Sequence, residues 1–218
     1  KINKKNNNNS GILLLAKNSG ETSFSSLTAV KKALGTTKVG HTGTLDSFAD
    51  GLLVVLSGSL TRLVPHITNF DKTYLALIEF GTETDTLELT GNVISKGKIP
   101  TEEDVQKSLE KFLGTTKQVP PLYSAIHVDG KRASDLARSG KTADIPPRDI
   151  TIHSIKLIDF FEKYALIEVS CSKGTYIRSL ARDIAKECGT VAHLCALRRV
   201  SLGPFNLKDA AGFSSLPE

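Results

Sequence analysis

The sequence has few of the features that mark membrane or secreted proteins. Its longest apolar runs, Ile12–Ala16 and Leu52–Leu56, are far shorter than the roughly 20 residues needed to cross a bilayer. The first ten residues, KINKKNNNNS, contain no apolar stretch of the kind found in secretory signals. Three cysteines without a CxxC pair argue against a disulfide framework and favour reduced thiols. We therefore expect a cytoplasmic protein that does not bind a membrane.

Motifs for common cofactors are also missing. There is no GxxxxGK[ST], GxGxxG, GxSxG or HExxH pattern, and the five histidines do not have the spacing of metal ligands. The sequence therefore predicts neither a cofactor nor a metal site. What it has instead is a modest excess of basic residues, 28 Lys and Arg against 23 Asp and Glu. This excess weakly favours an anionic partner.

Apolar periodicity predicts more strands than helices. Strands are expected at GILLLA (11–16), TYLALIEF (73–80), ITIHSIKLI (150–158) and YALIEVSC (164–171), with the last two forming a hairpin. LLVVLS (52–57) could be a buried strand or the start of a helix, since a continuous apolar run fits both. Because the strands do not alternate strictly with helices, we predict an α+β fold with a mixed, mostly antiparallel sheet flanked by helices.

Three helices are predicted from their caps and apolar faces. The first begins near Ser23 or Ser25 and ends at Gly35. The second runs from about Thr101, its cap, to Leu113, with Asp104 completing a capping box and Gly114 ending it. The third spans about Thr175 to Cys188 and ends at Gly189, with Thr175 as a possible cap.

A glycine-rich segment, KVGHTGTLDSFADG (38–51), is the first candidate for chemistry. Glycines allow sharp turns and close approach to a ligand, and the segment also carries His41, Asp46 and Asp50. The alternative is structural, because aspartates in Gly- and Thr-rich loops commonly cap turns and a single histidine commonly supports a fold.

A second candidate is CSKGTYIRSLARD (171–183), where a strand turns into a helix. Arg178 there, together with the later Arg198 and Arg199, could form a phosphate-binding surface or simply a solvated face. Tyr74 in DKTY (71–74) could be a core aromatic or could stack on a base. The polar stretch 124–149 is long for a loop in a compact domain, which is typical of a functional or disordered segment.

Taken in order, these segments resemble the bacterial TruB family of tRNA pseudouridine synthases. The resemblance covers nearly the whole chain and is carried by the motifs GILLLAKNSGETSF (11–24), GHTGTLD (40–46), DKTY (71–74), FGTETDT (80–86), VPPLYSAIHVDGKRA (119–133), SKGTYIRSLARD (172–183) and HLCALRRVSLGPF (193–205). GHTGTLD and KGTYIR together are highly specific. Two departures are Ala16-Lys17-Asn18 in place of Asp-Lys-Pro, and Ser-Phe-Ala-Asp-Gly after Asp46 in place of Pro-Leu-Ala-Thr-Gly.

The resemblance implies a pseudouridine synthase catalytic fold at 11–218 with a thumb-like insertion at about 124–149, preceded by a disordered tail at 1–10. If the catalytic fold extends to residue 218, the C-terminal RNA-binding (PUA-type) domain usual in the family is expected to be absent from this sequence. The implied activity is isomerisation of uridine to pseudouridine at tRNA position 55. The alternatives are a guide-RNA-dependent synthase and a non-catalytic tRNA-folding chaperone. The implied partner is the T-arm stem-loop of tRNA, bound by a monomer without an obligate protein partner.

The resemblance also implies roles for individual residues. Asp46 would be the nucleophile, Arg178 its ion-pair partner, and Tyr74 a ring stacked on the target uracil near C5. Tyr176 and Leu197 would line the uracil pocket, and His41 would fill the space left by the flipped base. Further substrate-binding residues are the basic side chains Lys17, Lys131, Arg132, Arg138, Arg198 and Arg199.

Overall fold

The computed structural model describes residues 10–124, 127–128, 131–133 and 145–216. It divides the chain into two compact units. The first consists of Lys1–Thr73 with Arg198–Glu218, and the second of Tyr74–Leu197. In the described part of the chain, no helix has the length and apolar character to span a membrane.

The first unit is built around a central strand, β3. Its elements are β1 (Gly11–Lys17), α1 (Ser23–Leu34), β2 (Val39–His41), β3 (Asp50–Ser57), a 3-10 turn (Gly58–Leu63), α2 (Val64–Thr68), the start of β4 (Lys72–Phe80), the end of β12 (Ala192–Leu202) and β13 (Phe205–Asn206). Strand β3 pairs antiparallel with β1 and β2, and parallel with β12 through Arg199 and Gly51.

Every residue of β3 is buried, which resolves the ambiguity of LLVVLS in favour of a strand. Its side chains alternate between two apolar clusters, as the two-residue period of a strand requires. Leu52, Val54 and Leu56 lie in one cluster, and Leu53 and Val55 lie in the other. The second cluster also contains the apolar face of α1, so both faces of the strand are covered.

The cap of α1 differs from the prediction. Thr22, rather than Ser23 or Ser25, caps the helix: its hydroxyl accepts a hydrogen bond from the Ser25 N–H at 3.0 Å. The Ser25 hydroxyl accepts in return from the Thr22 N–H at 3.1 Å, which completes a capping box. Gly35 ends the helix in the left-handed region, as predicted.

The second unit contains a sheet with strand order β12-β4-β11-β10-β7. Its elements, besides parts of β4 and β12, are β5 (Thr82–Thr84), β6 (Val93–Lys96), α3 (Glu102–Glu110), β7 (Gly114–Gln118), β8 (His127–Val128), β9 (Lys131–Arg132), β10 (Arg148–Phe161), β11 (Tyr164–Cys171) and α4 (Ile177–Glu187). The predicted hairpin is confirmed as β10 and β11, which pair antiparallel. Strand β3 pairs antiparallel with β1 and β2, and β10 pairs antiparallel with β7 and β11, whereas β3 and β12 are parallel. This mixed, mostly antiparallel sheet confirms the predicted α+β class.

Helix α3 confirms its predicted start but ends earlier than expected. Thr101 and Asp104 form the capping box, with the Asp104 N–H donating to the Thr101 hydroxyl at 3.1 Å. The helix stops at Glu110, and Gly114 begins strand β7 instead of ending the helix. In α4 the cap is Tyr176 rather than Thr175, whose hydroxyl donates to the Ser172 carbonyl.

Candidate active site

Asp46 lies half-buried in the loop between β2 and β3, in the first unit. Serine side chains of the segment 18–23 make hydrogen bonds with the backbone of this loop. Ser23 Oγ donates to the Leu45 carbonyl at 3.2 Å and accepts from the Leu45 N–H at 3.0 Å. Ser19 Oγ donates to the Phe48 carbonyl at 2.7 Å. Bonds on both sides of Asp46 fix the backbone from which its carboxylate projects.

Lys17 makes hydrogen bonds with the backbone of the adjoining turn at 18–21. It is only 2% exposed, and its ammonium donates to the carbonyls of Asn18 at 2.9 Å and Glu21 at 2.7 Å. Burial lowers the pKa of Lys17, and the negative charges of Glu21, Asp50 and Asp46 act in the opposite direction. The charge of Lys17 orders the 18–21 turn and lies within the field of Asp46, and its predicted contact with substrate stays a prediction.

Arg199 donates hydrogen bonds to the backbone of the same loop and of β3. The side chain is 1% exposed, Nε donates to the Leu52 carbonyl at 2.8 Å, and Nη2 donates to the Gly43 carbonyl at 3.1 Å. Gly43 has φ +104°, so the chain uses glycine where it turns toward the guanidinium. The assignment of Arg199 as an RNA contact stays a prediction.

Arg198 forms a two-bond ion pair with Asp50. Nε lies 2.7 Å from Oδ1, and Nη2 lies 2.8 Å from Oδ2. The hydrogen bonds that Arg198 donates to Asp50 raise the pKa of the guanidinium, as expected for a fork-shaped pair. The pair joins the first residue of β3 to β12 next to the parallel register between those strands. Its predicted contact with RNA phosphate would therefore compete with an internal carboxylate.

His41 ends strand β2 and is half-buried. Burial lowers its pKa, and the nearby positive charge of Arg199 lowers it further. Its Nδ1 is buried and has no hydrogen-bond partner within the described ranges. A neutral ring is consistent with the predicted role in shaping the RNA rather than in acid–base chemistry, and that role stays a prediction.

Arg178 lies on the first turn of α4, in the second unit, and is 4% exposed. Nη1 donates to the Thr86 carbonyl and Nη2 to the Tyr123 carbonyl, both at 3.0 Å. These two carbonyls fix the plane of the guanidinium. A planar fork held in this way can present its other donors to a carboxylate in a single orientation.

The start of α4 is held by the segment 118–123. The side-chain amide of Gln118 makes two hydrogen bonds with the backbone of Tyr176. Its Oε1 accepts from the Tyr176 N–H at 2.8 Å, and its Nε2 donates to the Tyr176 carbonyl at 3.1 Å. Ser179 Oγ donates to the Val119 carbonyl at 2.8 Å. Gln118 was not predicted from the sequence. The available signal was the Pro-Pro pair at 120–121. Because proline has no backbone N–H, the carbonyls of such a segment can accept hydrogen bonds from donors elsewhere in the chain.

Tyr74 on β4 and Leu197 on β12 are both buried in the second unit. A buried tyrosine fits both a core position and a position that meets a base, so its stacking role stays a prediction. The predicted thumb contacts fall on Arg138, which lies outside the described residues, and on Lys131 and Arg132, which are described only as the short strand β9. Among described residues, three potential metal ligands come together at Glu79, His193 and Cys195.

Comparison with known proteins relates the chain to enzymes of RNA modification. Residues 31–177 match the family described as TruB family pseudouridylate synthase (N terminal domain). The tRNA pseudouridine synthase B of Treponema denticola is 50% identical over 94% of this chain, which spans 63% of that relative. The tRNA pseudouridine synthase B of Borreliella burgdorferi is 45% identical over 92% of this chain, which spans 72% of that relative.

Solved structures give the same relationship at greater distance. A chain in a Cbf5-Nop10-Gar1 complex is 30% identical with a TM-score of 0.71, over 95% of this chain and 51% of that one. A chain in an H/ACA RNP bound to a substrate RNA containing 2'-deoxyuridine is 27% identical with a TM-score of 0.67, over 90% of this chain and 48% of that one. The present chain thus spans about half of each of these proteins.

Proposed function

The chain belongs to the TruB family of pseudouridylate synthases, which confirms the resemblance, and from this membership we propose that it isomerises uridine to pseudouridine at position 55 in the T-loop of tRNA. The observation that carries the proposal is 45–50% identity, over more than nine-tenths of this chain, to proteins named tRNA pseudouridine synthase B. The enzyme would be an isomerase, an intramolecular transferase that needs no second substrate.

The reaction breaks the bond between N1 of uracil and C1′ of ribose, turns the base, and joins C5 to C1′, after which the C5 proton leaves. The base must first leave its stack, which costs a few kcal/mol that contacts with the surrounding RNA must offset. We assign the nucleophile to Asp46. Support comes from its half-buried position in a loop held by side chain to backbone bonds, since a reacting carboxylate must be held in one place.

The roles of the second unit are proposed on the same basis. Arg178 would stabilise the ionised nucleophile, and its support is a guanidinium fixed by two backbone carbonyls. Tyr74 would stack on uracil, and Tyr176 and Leu197 would line its pocket. Tyr176 has the backbone of its helix start fixed by Gln118, which suits a residue that must hold one position.

Binding of tRNA would rest on shape and phosphate contacts. Lys17 and Arg199 are buried and already donate to backbone carbonyls, which favours exposed basic residues for the phosphate contacts. The basic residues of the thumb segment, Lys131, Arg132 and Arg138, are the proposed phosphate contacts, and His41 the proposed contact with the T-loop. We propose that the chain acts as a monomer in the cytoplasm without a protein partner.

The testing experiment measures release of the C5 hydrogen from a labelled T-arm stem-loop, with no guide RNA present. We expect turnover by the chain and a loss of roughly 10³-fold or more in Asp46→Asn, which keeps the shape but loses the nucleophile. The matched control is Asp209→Asn, an exposed carboxylate of the same unit, which should leave turnover unchanged. RNA binding by Asp46→Asn should be retained, as measured by filter binding.

The outcomes separate the proposal from its alternatives. Equal turnover by Asp46→Asn and the unaltered chain would remove Asp46 from the chemistry. Activity that appears only after guide RNA is added would favour the guide-RNA-dependent synthase, the first of the two alternatives. Binding and refolding of the stem-loop without any hydrogen release would favour the chaperone.

A further inference from the structure

Two neighbouring strands of the second unit bring three different metal-binding groups together. Glu79 lies on β4, and His193 and Cys195 lie two residues apart on β12 and so share one face of that strand. Glu79 Oε2 lies 3.4 Å from Cys195 Sγ and 3.9 Å from His193 Nε2, and Sγ lies 3.9 Å from Nε2. One potential ligand atom from each residue therefore lies within 4.8 Å of the other two.

Each of two groups is oriented by a bond on its far side. His193 Nδ1 lies 2.8 Å from the Thr82 carbonyl. Because a carbonyl oxygen can only accept, Nδ1 carries the proton, and in the neutral ring Nε2 keeps its lone pair. Lys163 Nζ binds Glu79 Oε1 at 2.6 Å and leaves Oε2 facing the other two groups. The Thr82 carbonyl and the Lys163 ammonium thus take the place of the outer groups that orient the ligands of a metal site.

The spacing agrees with that of a zinc site. Zinc lies about 2.3 Å from thiolate sulfur and about 2.0–2.2 Å from imidazole nitrogen or carboxylate oxygen, so tetrahedral ligands lie about 3.3–3.6 Å apart. The separation between Glu79 and Cys195 lies within this range, and the two separations from His193 exceed it by about 0.3 Å. We propose that Glu79, His193 and Cys195 bind one divalent cation of the zinc class, with a fourth coordination position open to solvent or a small ligand.

The chemistry of the ligand set selects the cation. A thiolate, an imidazole and a carboxylate together suit zinc, whereas magnesium and calcium prefer oxygen ligands alone. Binding converts the Cys195 thiol to a thiolate, and the released proton passes to solvent. The two negative ligands then balance the charge of the cation. Without a cation, Cys195 donates to Glu79, and burial raises the pKa of the thiol to about 12.

The site goes beyond the proposed function, because none of its ligands is a predicted catalytic or RNA-binding residue. It would connect β4 and β12, which also carry Tyr74 and Leu197. A cation that binds only the folded chain raises its stability in proportion to the logarithm of concentration over Kd. Occupancy should therefore change the thermal midpoint more than it changes the chemical step.

The first test is a Co²⁺ titration of the chelator-treated full chain, followed by absorption in the near ultraviolet. A sulfur-to-cobalt charge-transfer band that saturates at one Co²⁺ per chain is expected, and Zn²⁺ should displace it. Cys195→Ser should abolish the band. Cys188→Ser, which removes the other half-buried thiol, is the matched control and should retain it.

The second test is thermal unfolding with and without Zn²⁺. The midpoint should rise with Zn²⁺ in the unaltered chain and in Cys188→Ser, and should not rise in Cys195→Ser. Glu79→Gln should weaken Co²⁺ at least tenfold and serves if Cys195→Ser does not fold. No band in the unaltered chain at saturating Co²⁺, or a band lost in Cys188→Ser and kept in Cys195→Ser, would overturn the proposal.

Discussion

Replacing Gly51 with alanine should disrupt the junction of β3 with β12. Gly51 has φ +108° and is the partner of Arg199 in the parallel register. A Cβ added at Gly51 would lie 2.5 Å from the Arg199 carbonyl oxygen and 2.7 Å from its nitrogen. Real Cβ atoms do not approach backbone atoms this closely, and a backbone cannot swing aside as a flexible side chain can. The strand pairing must therefore shift.

The expected cost has two parts. An alanine at a positive φ costs about 1–3 kcal/mol, and moving packed backbone adds about 1–3 kcal/mol. The sum, about 2–6 kcal/mol, is a large fraction of the roughly 5–15 kcal/mol that stabilises a typical domain. Gly20→Ala separates the two parts, because Gly20 has φ +87° but nothing lies within 4 Å of its added Cβ.

The assay is urea unfolding of both variants and the unaltered chain, followed by circular dichroism. Gly20→Ala should lose only the conformational part, and Gly51→Ala should lose at least about 1 kcal/mol more in free energy of unfolding. Equal losses in the two variants would show that the close approach to Arg199 costs nothing, and would refute the reasoning.

Two further variants test the supports of the site. Gln118→Leu removes both bonds to the Tyr176 backbone and should cost about 1–3 kcal/mol of unfolding free energy, whereas the exposed Gln106→Leu should cost little; equal urea midpoints would contradict this. The pKa of His41 is lowered in the folded chain, so the unfolded chain binds more protons below about pH 6.5, and stability falls as pH falls through that window. His41→Asn should therefore lose less stability than the unaltered chain between about pH 7 and pH 5, and equal losses in the two chains would contradict this.

Elements with strong local signals could be predicted from the sequence. The capping box of α3 is written in Thr101 and Asp104, and the left-handed end of α1 in Gly35. Strand β3 could not be distinguished from a helix, because both its faces are covered and its sequence therefore does not alternate. Only the partners that pack on each face, which are distant in sequence, decide the matter.

Strand β12 was missed for a related reason. Its sequence, AHLCALRRVSL, places two arginines in the middle, and such residues are rarely buried unless paired. In the fold Arg198 is paired with the carboxylate of Asp50, and Arg199 donates hydrogen bonds to the backbone carbonyls of Leu52 and Gly43. These partners lie 147 to 156 residues earlier in the chain, where no local pattern can indicate them.

The same limit governed the candidate site. Sequence placed Asp46 in a glycine-rich loop and Arg178 at the start of a helix, and both positions hold in the structure. It also treated basic side chains as exposed, which is the common case. In the structure Lys17 and Arg199 are buried and donate to backbone carbonyls, while their predicted contacts with substrate stay predictions.

Because several cations of the first unit are buried, the net charge of the chain overstates the number of cations available to bind RNA phosphate. Lys17, Lys72 and Arg199 are all buried, and each donates two hydrogen bonds to backbone carbonyls. A cation in this position gains little from added phosphate, because reaching it would cost bonds already made. Weaker RNA binding after loss of Arg199 would consequently report a disordered Asp46 loop rather than a lost phosphate contact. The salt dependence of binding distinguishes the two, since only a lost phosphate contact lowers the slope.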